Sequence, residues 1–185
     1  YITLANNAAY SGNNDDTLHV LIGDTVTISY TDPNSGDSVV DTVTITPRPS
    51  AATVYFSDAS GTARDSYSNV AAVYVTVQDS DRNTSDRVRE SFVMYIRNFT
   101  TGDSRYVTLL ETALTSGIFR NTADTLTLSG TYAVNPGDAV MVAGVGDTLY
   151  TYYAHGTGDI ASDTAEIYAF PTAGVVTVLD ITGAS

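Results

Sequence analysis

The chain has 185 residues, of which 43% are hydrophobic, and a formal net charge of −13. This size and composition suffice for a globular core, while the acidic balance disfavours nucleic acid and anionic membrane surfaces as partners. The absence of Cys excludes disulfides and thiolate metal sites. No apolar run approaches the roughly 20 residues that span a bilayer, so no membrane insertion is predicted.

The first fifty residues predict short strands joined by turns. Strands are expected at residues 1–4, 17–21, 24–30 and 39–46. Within residues 24–30, Thr and Ser alternate with Val, Ile and Tyr, which is the period of a half-buried strand. Pro47 and Pro49 then interrupt the pattern, because proline cannot donate a ladder hydrogen bond. We therefore place a unit boundary here and assign residues 1–50 to an N-terminal β half-unit.

A longer series of strands is predicted between residues 51 and 171, which we assign to one complete β-sandwich unit. Strands are expected at residues 53–57, 72–77, 90–99, 105–110, 118–120, 125–128, 139–142, 148–153 and 164–169. Residues 61–69 are expected to be a polar loop, and residues 111–117 a loop or the one short helical turn. Many short strands with turn residues between them predict an all-β chain of antiparallel, Ig-like β-sandwich architecture.

An internal repeat relates the two ends of the chain. The stretch from Gly23 to Gly61 returns from Gly146 to Gly183, at an offset of about 122 residues, the size of one β-domain. Matched pairs include Tyr30 with Tyr153, Asp41 with Asp163, Ile45 with Ile167, Val54 with Val176 and Asp58 with Asp180. The chain is therefore interpreted as about one and a half repeat units. Residues 1–50 carry the closing hairpin of one unit, and residues 172–185 are the opening strand of a next unit or a donor strand.

Four motifs carry a family resemblance. They are VYVTV at residues 73–77, DSDRN at 79–83, LLETALTSGIF at 109–119 and GDTLYTYY at 146–153. Together they resemble the tandem Ig-like β-sandwich repeats of very large prokaryotic secreted and cell-surface proteins. The resemblance implies an extracellular or cell-surface location. It leaves the role open, because such modules serve stalks, adhesins, surface layers and filaments alike.

The acidic segment after the strand at residues 72–77 is the strongest candidate metal site. Its candidate ligands are Asp79, Asp81, Asn83, Asp86 and Glu90. Calcium takes six to eight oxygen ligands, and alternating Asp and Asn side chains in a tight loop can supply them. An EF-hand is excluded, because Thr84 occupies the position that requires Gly and the flanks read as strands. The alternative is a solvated acidic turn capped by its own side chains.

Two N-x-S/T sequons make Asn83 and Asn98 candidate glycosylation sites.

The C-terminal strand is the candidate contact between copies. Its candidate polymerisation residues are Val175, Val176, Thr177, Val178, Leu179 and Ile181. They repeat the strand that opens the central unit, but no unit follows them in this sequence. An unpaired strand is a template for addition to another sheet. Two interpretations stay open, a piece of a longer tandem array and a subunit that completes a head-to-tail neighbour by strand exchange.

A structural role is the leading functional hypothesis. The chain is expected to be a subunit or repeat of an extracellular filament, fibre or surface layer that associates with itself through β-sheet and donor-strand contacts. The alternative is a calcium-stiffened stalk or adhesin module that binds a surface ligand. No enzyme is expected, because the sequence has no nucleophile elbow, phosphate-binding loop or zinc-protease motif.

Overall fold

The computed structural model of the protein describes residues 3–6, 17–47, 50–131, 139–156 and 159–170. These residues are all-β, with one 3-10 turn at Ser80–Arg82. The strands are β1 (Thr3–Asn6), β2 (Thr17–Val20), β3 (Thr25–Thr31), β4 (Ser38–Thr44), β5 (Thr53–Ser57), β6 (Ser66–Ser68), β7 (Ala72–Gln78), β8 (Ser91–Asn98), β9 (Ser104–Glu111), β10 (Ile118–Arg120), β11 (Leu126–Ser129), β12 (Val140–Val142), β13 (Thr148–His155) and β14 (Asp159–Tyr168). Within these ranges no helix has the length and apolar character to cross a membrane.

One mixed sheet holds ten of the described strands. Its hydrogen-bonded order is β12-β11-β7-β10-β9-β8-β13-β14-β6, and β5 pairs with the other edge of β7. Most neighbours are antiparallel, as the sequence predicts, but β11–β12 and β6–β14 are parallel. Two small sheets stand apart from it, the parallel pair β1–β2 and the antiparallel hairpin β3–β4.

The ten-stranded sheet folds onto itself, so that two layers enclose the core. Phe92 on β8 and Phe119 on β10 lie on either side of β9, yet their ring centroids are 5.1 Å apart. Strands two positions apart in a flat sheet are separated by about 9–10 Å, so this contact between their side chains indicates that the sheet is curved here. At the other end of the path, the backbone N–H of Phe56 on β5 donates to the Asp163 carboxylate on β14 at 2.7 Å. The predicted β-sandwich is therefore confirmed as the architecture of this part of the chain.

The core follows the period-two pattern of the strands. On β8, Phe92, Met94 and Ile96 are buried and share one face, as the sequence predicts. Burial of such side chains stabilises the fold by about 1.5–3 kcal/mol each. The fully buried side chains come from six different strands and include Phe56, Val75, Ile96, Leu109, Phe119 and Leu149.

A buried asparagine lies where β7 changes partner. β7 pairs with β10 through residues 76–78 and with β11 through residues 72–73. Between them Asn121, fully buried, accepts from the Val75 N–H at 2.7 Å and donates to the Val73 carbonyl at 3.2 Å. The side chain thus supplies the hydrogen bonds that the ladder lacks at this bend.

The structure departs from the predicted elements in three places. β6 lies inside the predicted loop at residues 61–69, where it adds to β14. β14 begins at Asp159, earlier than predicted, because its first residues pair with the end of β13. The helical turn lies at Ser80–Arg82 and not within residues 111–117. The predicted boundaries at Pro49 and Pro171 lie outside the described residues, so the division into units stays a prediction.

Candidate functional site

The acidic loop between β7 and β8 is shaped by its own side chains. Asp79 caps the 3-10 turn, since its Oδ1 accepts from the Asp81 and Arg82 N–H groups at 2.9 and 3.2 Å. The turn directs the Arg82 guanidinium over the Phe92 ring, 3.9 Å from its centroid. The loop is therefore fixed to the core at one end, and most of its carboxylates are not free in solvent.

Asp79 is also tied to the β13 strand. It is 2% exposed, and its Oδ2 accepts from the Tyr153 hydroxyl and contacts His155 Nδ1 at 2.9 Å. Burial raises the pKa of Tyr153, and the adjacent Asp79 raises it further. Both oxygens of this predicted ligand are thus engaged by protein groups.

The next two carboxylates of the loop bind the N-terminal part of the chain. Asp81 Oδ1 accepts from the backbone N–H and hydroxyl of Ser50, at 2.8 and 3.0 Å. Asp86 Oδ2 accepts from the Ile22 N–H at 2.9 Å. Beside it, Arg87 pairs with Asp24 at 2.7 Å. The acidic loop therefore contacts residues before and after the β3–β4 hairpin, a role that the sequence does not reveal.

Glu90 faces a second carboxylate that the sequence analysis did not single out. Glu90 precedes β8 and Glu111 ends β9, and the Glu111 N–H donates to the Glu90 carbonyl at 2.9 Å. Glu90 Oε1 accepts from the Thr84 N–H at 3.1 Å, and Glu111 Oε1 accepts from the Gly117 N–H at 2.9 Å. Glu111 is fully buried. Burial and the neighbouring Glu90 carboxylate raise the pKa of Glu111, with burial the larger cause.

Three buried oxygen atoms at this place have no hydrogen-bond partner. They are Asn83 Oδ1, Glu90 Oε2 and Glu111 Oε2. The predicted ligand Glu90 thus lies beside Glu111, and Asn83 precedes Thr84, which binds Glu90, whereas Asp79, Asp81 and Asp86 are engaged in the contacts above. In the described part of the chain, no group of three or more Asp, Glu or His side chains is arranged to hold a metal. The predicted calcium site stays a prediction.

Both predicted glycosylation sites are buried. Asn83 is 5% exposed and Asn98 fully buried. The Asn98 Nδ2 donates to the Val142 carbonyl and to Asp147 Oδ2, both at 2.8 Å, and its Oδ1 accepts from the Thr100 N–H. A glycan needs an accessible side-chain nitrogen, so the folded chain offers neither asparagine as an acceptor. Asn98 instead holds the turn after β8 to the start of β13.

The two repeated hairpins have the same register. In β3–β4, Val26 pairs with Val43 and Tyr30 with Val39. In β13–β14, the matching pairs are Leu149 with Ala165 and Tyr153 with Ala161. The turns that precede the two hairpins also have the same backbone conformation, with φ values of +87° at Gly23 and +89° at Gly146. In both turns the Asp that follows this glycine accepts a backbone N–H at 2.8 Å through Oδ2. The internal match in the sequence therefore corresponds to one local structure formed twice.

The surroundings of these hairpins differ. The inner face of β13–β14 is buried in the core, with Leu149 at 0% and Tyr153 at 3% exposure. The equivalent face of β3–β4 is open, with Ile28, Tyr30, Val39 and Val43 between 56% and 67% exposed. We call these four side chains the open hairpin face. An isolated two-stranded hairpin is marginally stable in water, and such an exposed apolar row indicates an interaction surface.

The candidate polymerisation strand lies outside the described residues. This concerns Val175, Val176, Thr177, Val178, Leu179 and Ile181. Its sequence equivalent in the central unit is β5, whose contact with β14 is described above.

Comparisons with known proteins give no identity. No protein-family model matches the chain, and no curated protein has significant similarity to it. The resemblance to tandem surface-protein repeats therefore stays an interpretation of the four motifs.

Proposed function

We propose that the chain is a structural subunit of an extracellular filament, fibre or surface layer, and that it assembles head to tail through β-strand addition. The observation that carries the proposal is the open hairpin face. Its four apolar side chains are exposed in β3–β4, although the same face of β13–β14 is buried in a sandwich. Covering such side chains stabilises a contact by about 1.5–3 kcal/mol for each one fully buried.

The proposed occupant of this face is the strand at residues 173–183 of a second copy. Those residues match 51–61, and the latter contain β5. β5 lies against β14, where the Phe56 N–H donates to Asp163. Asp41 is the equivalent of Asp163, and Val178 is the equivalent of Phe56. By this analogy, the Val178 N–H of one copy donates to Asp41 of the next, while Val176 and Val178 cover the open hairpin face.

One donated strand does not reproduce every neighbour of the buried hairpin. β13 also pairs with β8, and β14 also pairs with β6. The edges of the β3–β4 hairpin therefore remain available for further pairing with the incoming copy. Contacts of this head-to-tail kind do not close on themselves and so produce filaments.

The deciding experiment compares assembly of the full chain with that of a chain lacking residues 174–185. Negative-stain electron microscopy and light scattering measure assembly, and circular dichroism checks that both chains are folded. We expect fibres or higher oligomers from the full chain and folded monomers from the truncated one. A full chain that stays monomeric at high concentration, or a truncated chain that still polymerises, would refute strand donation.

A second candidate function is a calcium-stiffened stalk or adhesin module. It is favoured by the contacts of Asp81 with Ser50 and of Asp86 with Ile22, which place the acidic loop between the sandwich and the N-terminal hairpin. A module of this kind stays monomeric and binds a surface ligand. Saturable binding of the monomeric chain to a glycan array, with no fibres at any concentration, would favour this candidate over the filament subunit.

A further inference from the structure

Three side chains in and beside the acidic loop each have a buried oxygen without a hydrogen-bond partner. Glu90 and Glu111 are held opposite each other by the strand pairing of β8 with β9, in which Ser91 pairs with Leu110. Asn83 joins them through its neighbour Thr84, whose N–H and hydroxyl both bind Glu90.

The orientation of each side chain is fixed by its other polar atom. Asn83 Nδ2 donates to Asp86 Oδ1 at 3.3 Å, which directs the amide oxygen away from that carboxylate. The second oxygens of Glu90 and Glu111 are held by Thr84 and Gly117, respectively. When both glutamates are ionised the free atoms are all acceptors, although the Glu90 and Glu111 carboxyl groups lie within hydrogen-bond reach of each other, and neither forms an ion pair with a described residue. Buried acceptors of this kind need a donor or a cation.

We propose that Asn83 Oδ1, Glu90 Oε2 and Glu111 Oε2 bind a divalent cation, with calcium preferred. A ligand set made only of oxygens suits a hard cation and not zinc or copper, which favour nitrogen or sulfur. Each carboxylate contributes one oxygen, because its other oxygen is engaged. Water or backbone carbonyls complete the six to eight ligands that calcium takes, whereas magnesium demands near-ideal octahedral geometry. Two carboxylates and one amide indicate a dissociation constant of about 10⁻⁴–10⁻³ M, the range of extracellular modules.

The position of the site gives the cation a mechanical role. The loop above it carries Asp81 and Asp86, which bind Ser50 and Ile22 of the N-terminal part. A cation that fixes Asn83 and Glu90 therefore fixes both of these contacts. The inference does not depend on the filament proposal, because it concerns the stiffness of one copy.

The test measures calcium binding and melting temperature in three single variants, each with one glutamate replaced by glutamine. Glu111→Gln and Glu90→Gln remove a ligand charge, and Glu166→Gln is the matched control on an exposed residue of β14. Melting of the full chain is followed in excess chelator and in 10 mM calcium or magnesium, at a protein concentration at which light scattering detects no assembly. Displacement of luminescent terbium by calcium gives a second measurement on the unsubstituted protein.

We expect 10 mM calcium, about 10- to 100-fold over the proposed dissociation constant, to raise the melting temperature by about 3–10 °C. Magnesium is expected to do less. Glu111→Gln and Glu90→Gln should each weaken calcium binding at least 10-fold, while Glu166→Gln leaves it unchanged.

If Glu111→Gln fails to fold, Glu90→Gln and terbium displacement from the unsubstituted protein still test whether the site binds calcium. An unchanged melting temperature with no calcium-displaceable terbium would overturn the proposal, since a proton or water then satisfies the carboxylates. Equal losses in all three variants would also overturn it, because they indicate diffuse binding to acidic surface.

Discussion

Asp163 on β14 accepts the backbone N–H of Phe56 on β5 at 2.7 Å, although the two strands are not neighbours in the hydrogen-bonded order of the sheet. This contact joins the first strand of the sandwich to its closing hairpin across 107 residues. Asp41 occupies the equivalent position in the β3–β4 hairpin, opposite Ile28 where Asp163 is opposite Thr151. The Asp163 carboxylate binds a strand of the same chain, whereas the Asp41 side chain is exposed.

The two aspartates are therefore expected to respond differently to truncation. Asp163→Ala leaves the Phe56 N–H without its acceptor in the interior, and should lower the free energy of unfolding by about 1–3 kcal/mol. Asp41→Ala removes an exposed side chain and should change it by less than about 0.5 kcal/mol. Urea unfolding followed by circular dichroism measures both. Equal destabilisation by the two variants would contradict the view that the hairpins are alike in structure and unlike in surroundings.

Assembly should be sensitive to one face of the β3–β4 hairpin. Val39 and Val40 are neighbours on β4 with exposures of 67% and 62%, but their side chains point to opposite faces. Val39→Asp places a charge on the open hairpin face, where a donated strand would bury it, and should abolish polymerisation. Val40→Asp is the matched control and should leave it intact. Light scattering and electron microscopy measure polymerisation. Loss of polymerisation in both variants would argue against a specific role of the open hairpin face.

Local patterns predicted the strands well because each rests on a few adjacent residues. The alternation of Phe92, Met94 and Ile96, for example, is visible without knowledge of any neighbour. The repeat also predicted more than strand positions, since Tyr30 and Tyr153 occupy equivalent positions in two hairpins that have the same strand pairing. What sequence could not predict was the setting of these hairpins, because exposure depends on which other strands lie nearby.

The candidate cation site shows the same limit. Asn83 and Glu90 stand in an acidic segment, and their spacing predicts them as ligands. Glu111 lies 21 residues beyond Glu90 in the sequence and reaches the site only through the pairing of β8 with β9. Likewise, their spacing predicts Asp81 and Asp86 as ligands, and the structure adds their contacts with Ser50 and Ile22. A single sequence without knowledge of strand pairing gives no signal for either contact.

The stability of the sandwich should fall at alkaline pH through Tyr67. Its hydroxyl proton is shared by two carbonyl acceptors, with Ser57 O at 2.5 Å and Tyr74 O at 3.1 Å. Burial raises the pKa of Tyr67 above its usual value of 10.0. A raised pKa in the folded state means that this stabilisation is complete below pH 10 and is lost as pH rises further. Tyr67→Phe should lower stability at pH 7 by about 0.5–1.5 kcal/mol and reduce its decline above pH 10. An unchanged alkaline slope in the variant would contradict a role for this hydroxyl.

Gly117 should tolerate substitution less than another glycine with the same backbone conformation. Gly117 and Gly156 have φ values of +58° and +59°, so alanine meets the same backbone strain at both. A Cβ on Gly117, however, would lie 2.9 Å from the Ser80 Cα, whereas a Cβ on Gly156 meets no atom within 4 Å.

Gly117→Ala must therefore displace the start of the acidic loop and disturb the N–H that binds Glu111. We expect it to cost about 1–3 kcal/mol more than Gly156→Ala, the range of overpacking in a tight site, in parallel urea titrations. If the loop supports a cation site, Gly117→Ala should also weaken calcium binding, while Gly156→Ala retains it. Equal stability of the two alanine variants would mean that the loop shifts freely, and would contradict the view that close packing of Gly117 against Ser80 fixes the start of the acidic loop.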